Sequence, residues 1–136
     1  VGPKETAGQY QTAEAARELQ FAVEAGSAGQ DQADAYGFAY TPVSTQADAV
    51  MEVAAGASQA AIIDALMAAA MVGEGTSYAD LTYTVALNSE EYGVAFREGS
   101  DLAELLNQYF VAAYADGSMM ALAETYGVSA AIIPQE

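Results

Sequence analysis

Two short stretches of the sequence carry groups that could bind a small charged molecule. The first is Gly26-Ser27-Ala28-Gly29, which follows the apolar residues 21–24 and precedes a predicted helix over residues 28–36. It offers backbone N–H donors and one hydroxyl beside the positive end of the helix dipole, an environment that suits a carboxylate or a phosphate. The spacing alone favours an ordinary strand-to-helix turn over a binding turn. It matches neither the P-loop nor the GxGxxG pattern.

The second stretch ends in Asp64, a single carboxylate that follows the apolar residues 60–63. Its simplest interpretation is an N-cap, since aspartate at that position accepts N–H bonds from the helix that follows. In open α/β sheets, however, ligands bind beyond the carboxyl ends of the strands, and both stretches lie at such ends. Donors for an anion and a carboxylate for a cation together predict a site for a zwitterion such as an amino acid.

Composition removes most other chemistries. The 136 residues include no cysteine and no histidine, so thiol and imidazole catalysis and the usual zinc, copper and iron sites are not expected. Glu98 with Glu90 or Glu91 is a conceivable acid–base pair, but solvated loop charges are commoner. We therefore predict no catalytic residue, no metal and no cofactor. Nineteen acidic residues against three basic ones give a net charge of −16, which excludes nucleic acid and anionic membranes as expected partners.

Strand and helix patterns alternate along the chain, which predicts an α/β fold with an open, mostly parallel sheet flanked by helices and followed by a C-terminal helical tail. Strands are expected at residues 21–24, 38–43, 60–63, 81–87 and 92–96. Helices are expected at residues 12–19, 28–36, 65–72 and from Ser44 or Thr45 to Gly56. Two tail helices follow Ser100, the first with an apolar stripe of Leu102, Leu105, Leu106, Tyr109, Phe110 and Ala113. No apolar run is long enough to span a membrane.

Several of these stretches, in this order, resemble the amino-acid-type (family 3) solute-binding proteins of ABC importers. The strand and turn of residues 21–29 are similar to that family's, and residues 60–64 resemble its strand with a terminal aspartate. Residues 91–102 resemble its Tyr-Gly-x-Ala strand and the opening of its last helices. Residues 114–118 and 126–127 resemble its helix-Asp-Gly-helix ending. The resemblance runs from about Val1 to Ile133.

The resemblance implies one part of a two-lobed, non-catalytic binding protein of type II periplasmic-binding-protein fold. Residues 1–99 would be the second lobe with its hinge strands, and residues 100–136 would be helices that pack on a first lobe absent from this chain. Ser27, Ala28 and Gly29 would contact the ligand carboxylate, Asp64 its ammonium group, and Tyr92 would lie nearby. The family often has Ser or Thr where Ala28 stands, so any contact there would come from the backbone.

The resemblance also implies partners and a location. An amino acid or related small molecule would be the ligand, and an ABC permease would be the partner of the full-length protein. The location would be periplasmic or membrane-anchored at the cell surface, although no signal peptide precedes Val1. Without its first lobe, the fragment is expected to bind ligand weakly or not at all. Its uncovered apolar tail would favour a homodimer through the C-terminal helices.

Three other interpretations stay open. A receptor's sensory domain would share the same binding residues and differ only in what is fused to it. A dehydratase-like enzyme on the same scaffold would need an acid and a base near Ser27 and Asp64, and the chain has no histidine for that role. An isolated fragment without a binding function is the third.

Overall fold

The protein has a mixed α/β fold in the computed structural model, which describes residues 1–135. This confirms the predicted α/β class, while the periplasmic-binding-protein fold stays a prediction. The chain forms two compact units, Val1–Ser89 and Glu90–Glu136, and each is described by itself. The expected division into residues 1–99 and 100–136 depends on what the tail packs against, and it stays a prediction.

Short strands alternate with helices in the first unit. The strands are β1 (Gly2–Pro3), β2 (Gln20–Glu24), β3 (Ala39–Val43), β4 (Ala60–Ile62) and β5 (Leu81–Thr82). β2 lies in the centre of a three-stranded parallel sheet of order β3-β2-β4, while β1 pairs antiparallel with β5 in a separate two-stranded sheet. The three predicted strands that carry the candidate site therefore form one parallel sheet.

Helices follow each strand of the parallel sheet. They are α1 (Ala28–Tyr36), α2 (Gln46–Ala54) and α3 (Ala65–Met71), and a single 3-10 turn, Ala7–Gln9, precedes them. The second unit contains α4 (Leu102–Ala115), α5 (Ser118–Thr125) and a final 3-10 turn, Ser129–Ala131. All five helices were predicted from the sequence; the bounds of α1 are as predicted, and those of α2 and α3 differ by at most two residues.

The core of the first unit lies on both faces of the parallel sheet, because successive side chains of a strand point to opposite faces. Phe21 and Val23 belong to one buried cluster, which also includes Ala33 of α1 and the stacked ring of Phe38. The residue between them, Ala22, belongs to the other cluster. The partners of Ala22 there are Ala49, Val50, Val53, Ala61, Val72 and Leu81. Burial of small alanines brings the helices close to the central strand.

Three sequence predictions are wrong. The expected strand at residues 81–87 is limited to Leu81–Thr82, and the expected strand at residues 92–96 does not form. Residues 91–99 are exposed and adopt no strand, so the alternating pattern alone does not produce one. The expected helix at residues 12–19 is replaced by isolated turns. Thr12 Oγ1 accepts one N–H bond, from Ala15, but a stretch this short cannot sustain a helix without more packing.

Among residues 1–135 no helix is both long enough and apolar enough to cross a bilayer.

Candidate functional site

The parallel sheet brings the glycine turn and Asp64 to the same edge. Phe21 pairs with Ala60 and Val23 with Ile62, so β2 and β4 end side by side. The turn that follows β2 and the residue that follows β4 are therefore neighbours. Gly29 and the end of β4 are close together: a Cβ atom on Gly29 would lie 3.0 Å from the backbone oxygen of Ile62 and 3.3 Å from its Cγ2 atom. Only a residue without a side chain lets α1 begin this near to β4.

Ser27 is the N-cap of α1, a role that fits an ordinary strand-to-helix turn. Its Oγ accepts a hydrogen bond from the Gln30 N–H at 3.2 Å and donates one to the Glu24 carbonyl at 2.7 Å. Gly26 precedes it with φ of 75°, a left-handed conformation that favours glycine. The hydroxyl is thus committed to holding the turn, and what the turn can offer a ligand comes from its backbone.

Ala28 and Gly29 supply that backbone. A helix leaves its first N–H groups without partners inside the helix, and hydrogen bonds from the N–H groups of Ala28 and Gly29 are absent within residues 1–135. Ala28 is exposed and Gly29 is half-buried, so both lie at the surface of the unit. These two donors, at the positive end of the α1 dipole, form the anion-attracting part of the edge.

Asp64 is the N-cap of α3. Its Oδ1 accepts hydrogen bonds from the N–H groups of Leu66 at 2.9 Å and Met67 at 3.1 Å. Its own N–H donates to the Gln46 side chain at 2.8 Å, which ties the first turn of α2 to the end of β4. The half-buried carboxylate therefore has a structural role at the start of α3. It also brings a negative charge to the edge where the turn of α1 begins.

A chain of side-chain hydrogen bonds supports the turn from the other side. The Gln30 side-chain oxygen accepts from the Gly26 N–H at 2.6 Å, and its Nε2 donates to the Tyr40 hydroxyl at 3.1 Å. The Tyr40 hydroxyl in turn donates to Asp34 Oδ1 at 2.9 Å. Sequence reasoning identified neither Gln30 nor Gln46. Each lies in the first turn of a predicted helix after a Ser or Thr cap, which was the one available signal.

Tyr92 belongs to the second compact unit and its side chain is 83% exposed. Its predicted position near the ligand stays a prediction. Within the part of the chain that the structure describes, no group of three or more acidic side chains is arranged to hold a metal ion. Arg17 and Glu14 form an exposed ion pair at 3.4 Å.

The edge thus combines two N–H donors, a carboxylate and two glutamine side chains that position them. This arrangement can attract a small molecule that carries both charges. It lacks the histidine or cysteine that most nucleophilic and acid–base mechanisms use. Comparison with known proteins adds nothing to this description, because no protein-family model, no curated protein and no solved structure matches the sequence.

Proposed function

We propose that this chain is the second lobe of an amino-acid-binding protein of the type II periplasmic-binding-protein class, the substrate-binding component of an ABC importer. In that role the Ala28–Gly29 backbone receives the ligand carboxylate and Asp64 receives its ammonium group. The observation that carries the proposal is the close approach of Gly29 to Ile62, which makes the two half-sites neighbours at one sheet edge. The lobe carries no catalytic residue in this proposal.

The positive end of the α1 dipole supports the part of the proposed site that receives the ligand carboxylate. The ligand carboxylate would satisfy backbone donors that the fold leaves without partners among the described residues, and it would do so at a helix N-terminus. The Ser27 hydroxyl, bonded to Glu24 and Gln30, keeps the turn rigid and does not compete for the ligand. Preorganised donors of this kind add affinity because little ordering is left to occur on binding.

The cationic half depends on Asp64. A carboxylate can accept several hydrogen bonds at once, so accepting N–H bonds at Oδ1 is compatible with attraction of an ammonium group. Gln46 fixes the backbone at this position through the Asp64 N–H. The net charge of −16 also favours a ligand with a positive group over a plain anion.

Affinity in this chain alone should be low, because one lobe leaves the opposite face of the ligand in water. Exposed charge pairs contribute about 1 kcal/mol or less each. Two such pairs, about 2 kcal/mol together, give dissociation constants of about 30 mM or weaker. A first lobe that closed over the ligand would exclude water and strengthen both pairs.

The experiment is a titration of the isotope-labelled chain with a panel of amino acids. Binding is monitored through the chemical shifts of the backbone amides. We expect saturable shifts at Ala28, Gly29 and Asp64 for at least one amino acid. Acetate and methylammonium, which carry one charge each, should produce smaller shifts at the same amides. Failure of every amino acid in the panel to perturb these amides at several hundred millimolar, about ten times the expected dissociation constant, would refute an amino-acid site at this edge.

The matched variant is Asp64→Asn. Asparagine caps helices as well as aspartate does, so the fold should persist while the negative charge is lost. The amino acid that shifts the wild-type amides should then lose its effect. Unchanged binding by Asp64→Asn would show that the carboxylate has no part in the site.

A further inference from the structure

Several helices of this protein carry charges that oppose the helix dipole. The C-terminal end of a helix has a partial negative charge, so lysine or arginine stabilises it and a carboxylate destabilises it. None of the five helices within residues 1–135 has a basic residue in its last turn. Asp34, Glu52 and Glu124 instead lie in the last turns of α1, α2 and α5. Three helix ends are therefore destabilised by their own side chains.

Acidic residues also lie next to one another along two helices. Asp31 and Asp34 are three residues apart in α1, and Asp48 and Glu52 are four residues apart in α2. Residues at these spacings are neighbours on a helix surface, with Cβ atoms about 5–6 Å apart, and like charges there are destabilising. The two helices pack on opposite faces of the central strand, so the repulsion acts directly on the elements that cover the sheet.

Basic residues that could offset this repulsion are almost absent. The sequence has no lysine or arginine between Arg17 and Arg97, a stretch that contains the whole parallel sheet and α1, α2 and α3. The ion pair of Arg17 with Glu14 precedes that stretch, and its exposure makes its contribution small. Dissolved cations are therefore what remains to offset the carboxylates of these helices.

The composition of the core gives the surface charge more weight than usual. Alanine is the commonest of the buried apolar residues that the structure describes. The stabilisation gained on burial is proportional to the apolar area removed from water, so each small side chain contributes little. Because the stability of a folded protein is a small difference between large opposing contributions, repulsion at the surface reduces a modest margin.

Salt removes repulsion between such close neighbours only at high concentration. The Debye length is about 8 Å at 0.15 M ionic strength, which exceeds the distance between the paired positions, and about 3 Å at 1 M. Physiological salt therefore leaves much of the repulsion within each pair, whereas molar salt screens most of it. We propose that this chain is adapted to concentrated salt, and that its folded state reaches full stability only as the ionic strength approaches about 1 M. This property does not depend on what the chain binds.

The test is urea denaturation of the full chain in sodium chloride from about 20 mM to about 1 M, followed by circular dichroism of the helices. We expect the urea midpoint to rise by about 1 M or more across this range. About a third or more of the rise should occur above about 0.15 M salt, because there the Debye length falls below the separation of the paired charges.

Variants of Glu52 separate screening from the other effects of salt. Glu52→Gln removes one charge with little change of shape, and Glu52→Lys places a cation in the last turn of α2, four residues after Asp48. Both should raise the urea midpoint in dilute salt, Glu52→Lys by more, because repulsion becomes attraction. Salt also strengthens apolar burial, but it does so in wild type and variants alike. The advantage of the variants over wild type should therefore fall to less than half in molar salt.

Met51→Gln is the matched control. Met51 is 54% exposed on the same helix, and the substitution leaves the net charge unchanged. Whatever its effect on the urea midpoint, that effect should be the same at every salt concentration.

Three results would overturn the proposal. A wild-type midpoint that stays level or falls as salt is added would show that repulsion does not limit stability. A rise complete at about 0.15 M would mean that ordinary salt suffices. A rise that both Glu52 variants share in full, with their difference from wild type unchanged by salt, would assign the stabilisation to apolar burial.

Discussion

The backbone oxygen of Ile62 lies 3.0 Å from the point that a Cβ atom would occupy on Gly29. The last residue of β4 thus lies against the first turn of α1, although the two residues are more than thirty positions apart in the chain. A contact so short tolerates hydrogen but not a methyl group. The position of α1 on the sheet, and with it the position of the Ala28 and Gly29 N–H groups, depends on this absent side chain.

Gly29→Ala should therefore destabilise the first unit. Overpacking against a backbone atom costs about 1–3 kcal/mol, while the better helix propensity of alanine returns about 1 kcal/mol. We expect a net loss of about 1 kcal/mol, measured as a lower urea midpoint. Gly8→Ala is the matched control, since a Cβ there would meet nothing within 4 Å. A rise in stability for Gly29→Ala would mean that β4 moves aside without cost.

Two substitutions of Asp64 separate its role as a helix cap from the effect of its charge. Asp64→Ala removes the acceptor of the Leu66 and Met67 N–H groups and should lower the free energy of unfolding by about 1 kcal/mol. Asp64→Asn keeps a side-chain oxygen at the cap and should change the free energy of unfolding by a few tenths of a kcal/mol at most. Urea denaturation of the three proteins decides this. Equal losses for Ala and Asn would assign the stabilisation to the negative charge near the helix dipole.

The first half of the fold was predictable because its signals are local. Ser27 caps α1 and Gly37 ends it with φ of 68°, and both residues lie at the helix they limit. The apolar runs of β2 and β4 likewise predict buried strands without knowledge of their partners. The placement of Gly29 and Asp64 at one edge was predictable as well, since the carboxyl ends of parallel strands share an edge.

What the sequence did not reveal depends on contacts between distant residues. The hydrogen bond from the Asp64 N–H to Gln46 joins positions eighteen apart, and a glutamine near a helix start carries no indication of it. Residues 92–96 have the alternation of a strand, yet a strand forms only where another strand bonds its backbone. The pattern predicts the capacity to pair, and the rest of the fold decides whether a partner is present.

Gly117 joins α4 to α5 with φ of 81°, a left-handed conformation that costs other residues about 1 kcal/mol or more. Gly117→Ala should therefore loosen the C-terminal unit and reduce hydrogen-exchange protection of α5 amides about fivefold to tenfold. Amides of β2 should be unaffected. Gly93→Ala, where glycine has no left-handed φ and no close neighbours, is the control. Equal effects of the two variants would show that the Gly117 conformation is not what holds the hairpin.

For a polypeptide that begins at Val1, burial of the amino group should make the free energy of unfolding rise between pH 6 and pH 8. Its nitrogen donates to the Ala61 carbonyl at 2.8 Å, and burial lowers its pKa from 8.0 to about 6. The unfolded chain therefore holds this proton up to about pH 8 and the folded chain only up to about pH 6. Stability is lost as the pH falls through this window, by at most about 2–3 kcal/mol.

The window is clear of other groups, because the chain has no histidine and ordinary carboxylates titrate near pH 4. Urea midpoints measured at intervals from pH 6 to pH 8 should rise for this polypeptide. An extra residue before Val1 replaces the ammonium group by a peptide N–H, which can keep the bond to Ala61 without titrating. The extended chain should show a flat profile. A flat profile for the chain that begins at Val1 would mean that its amine is solvated in the folded state, and an equal rise in both proteins would assign the effect to another group.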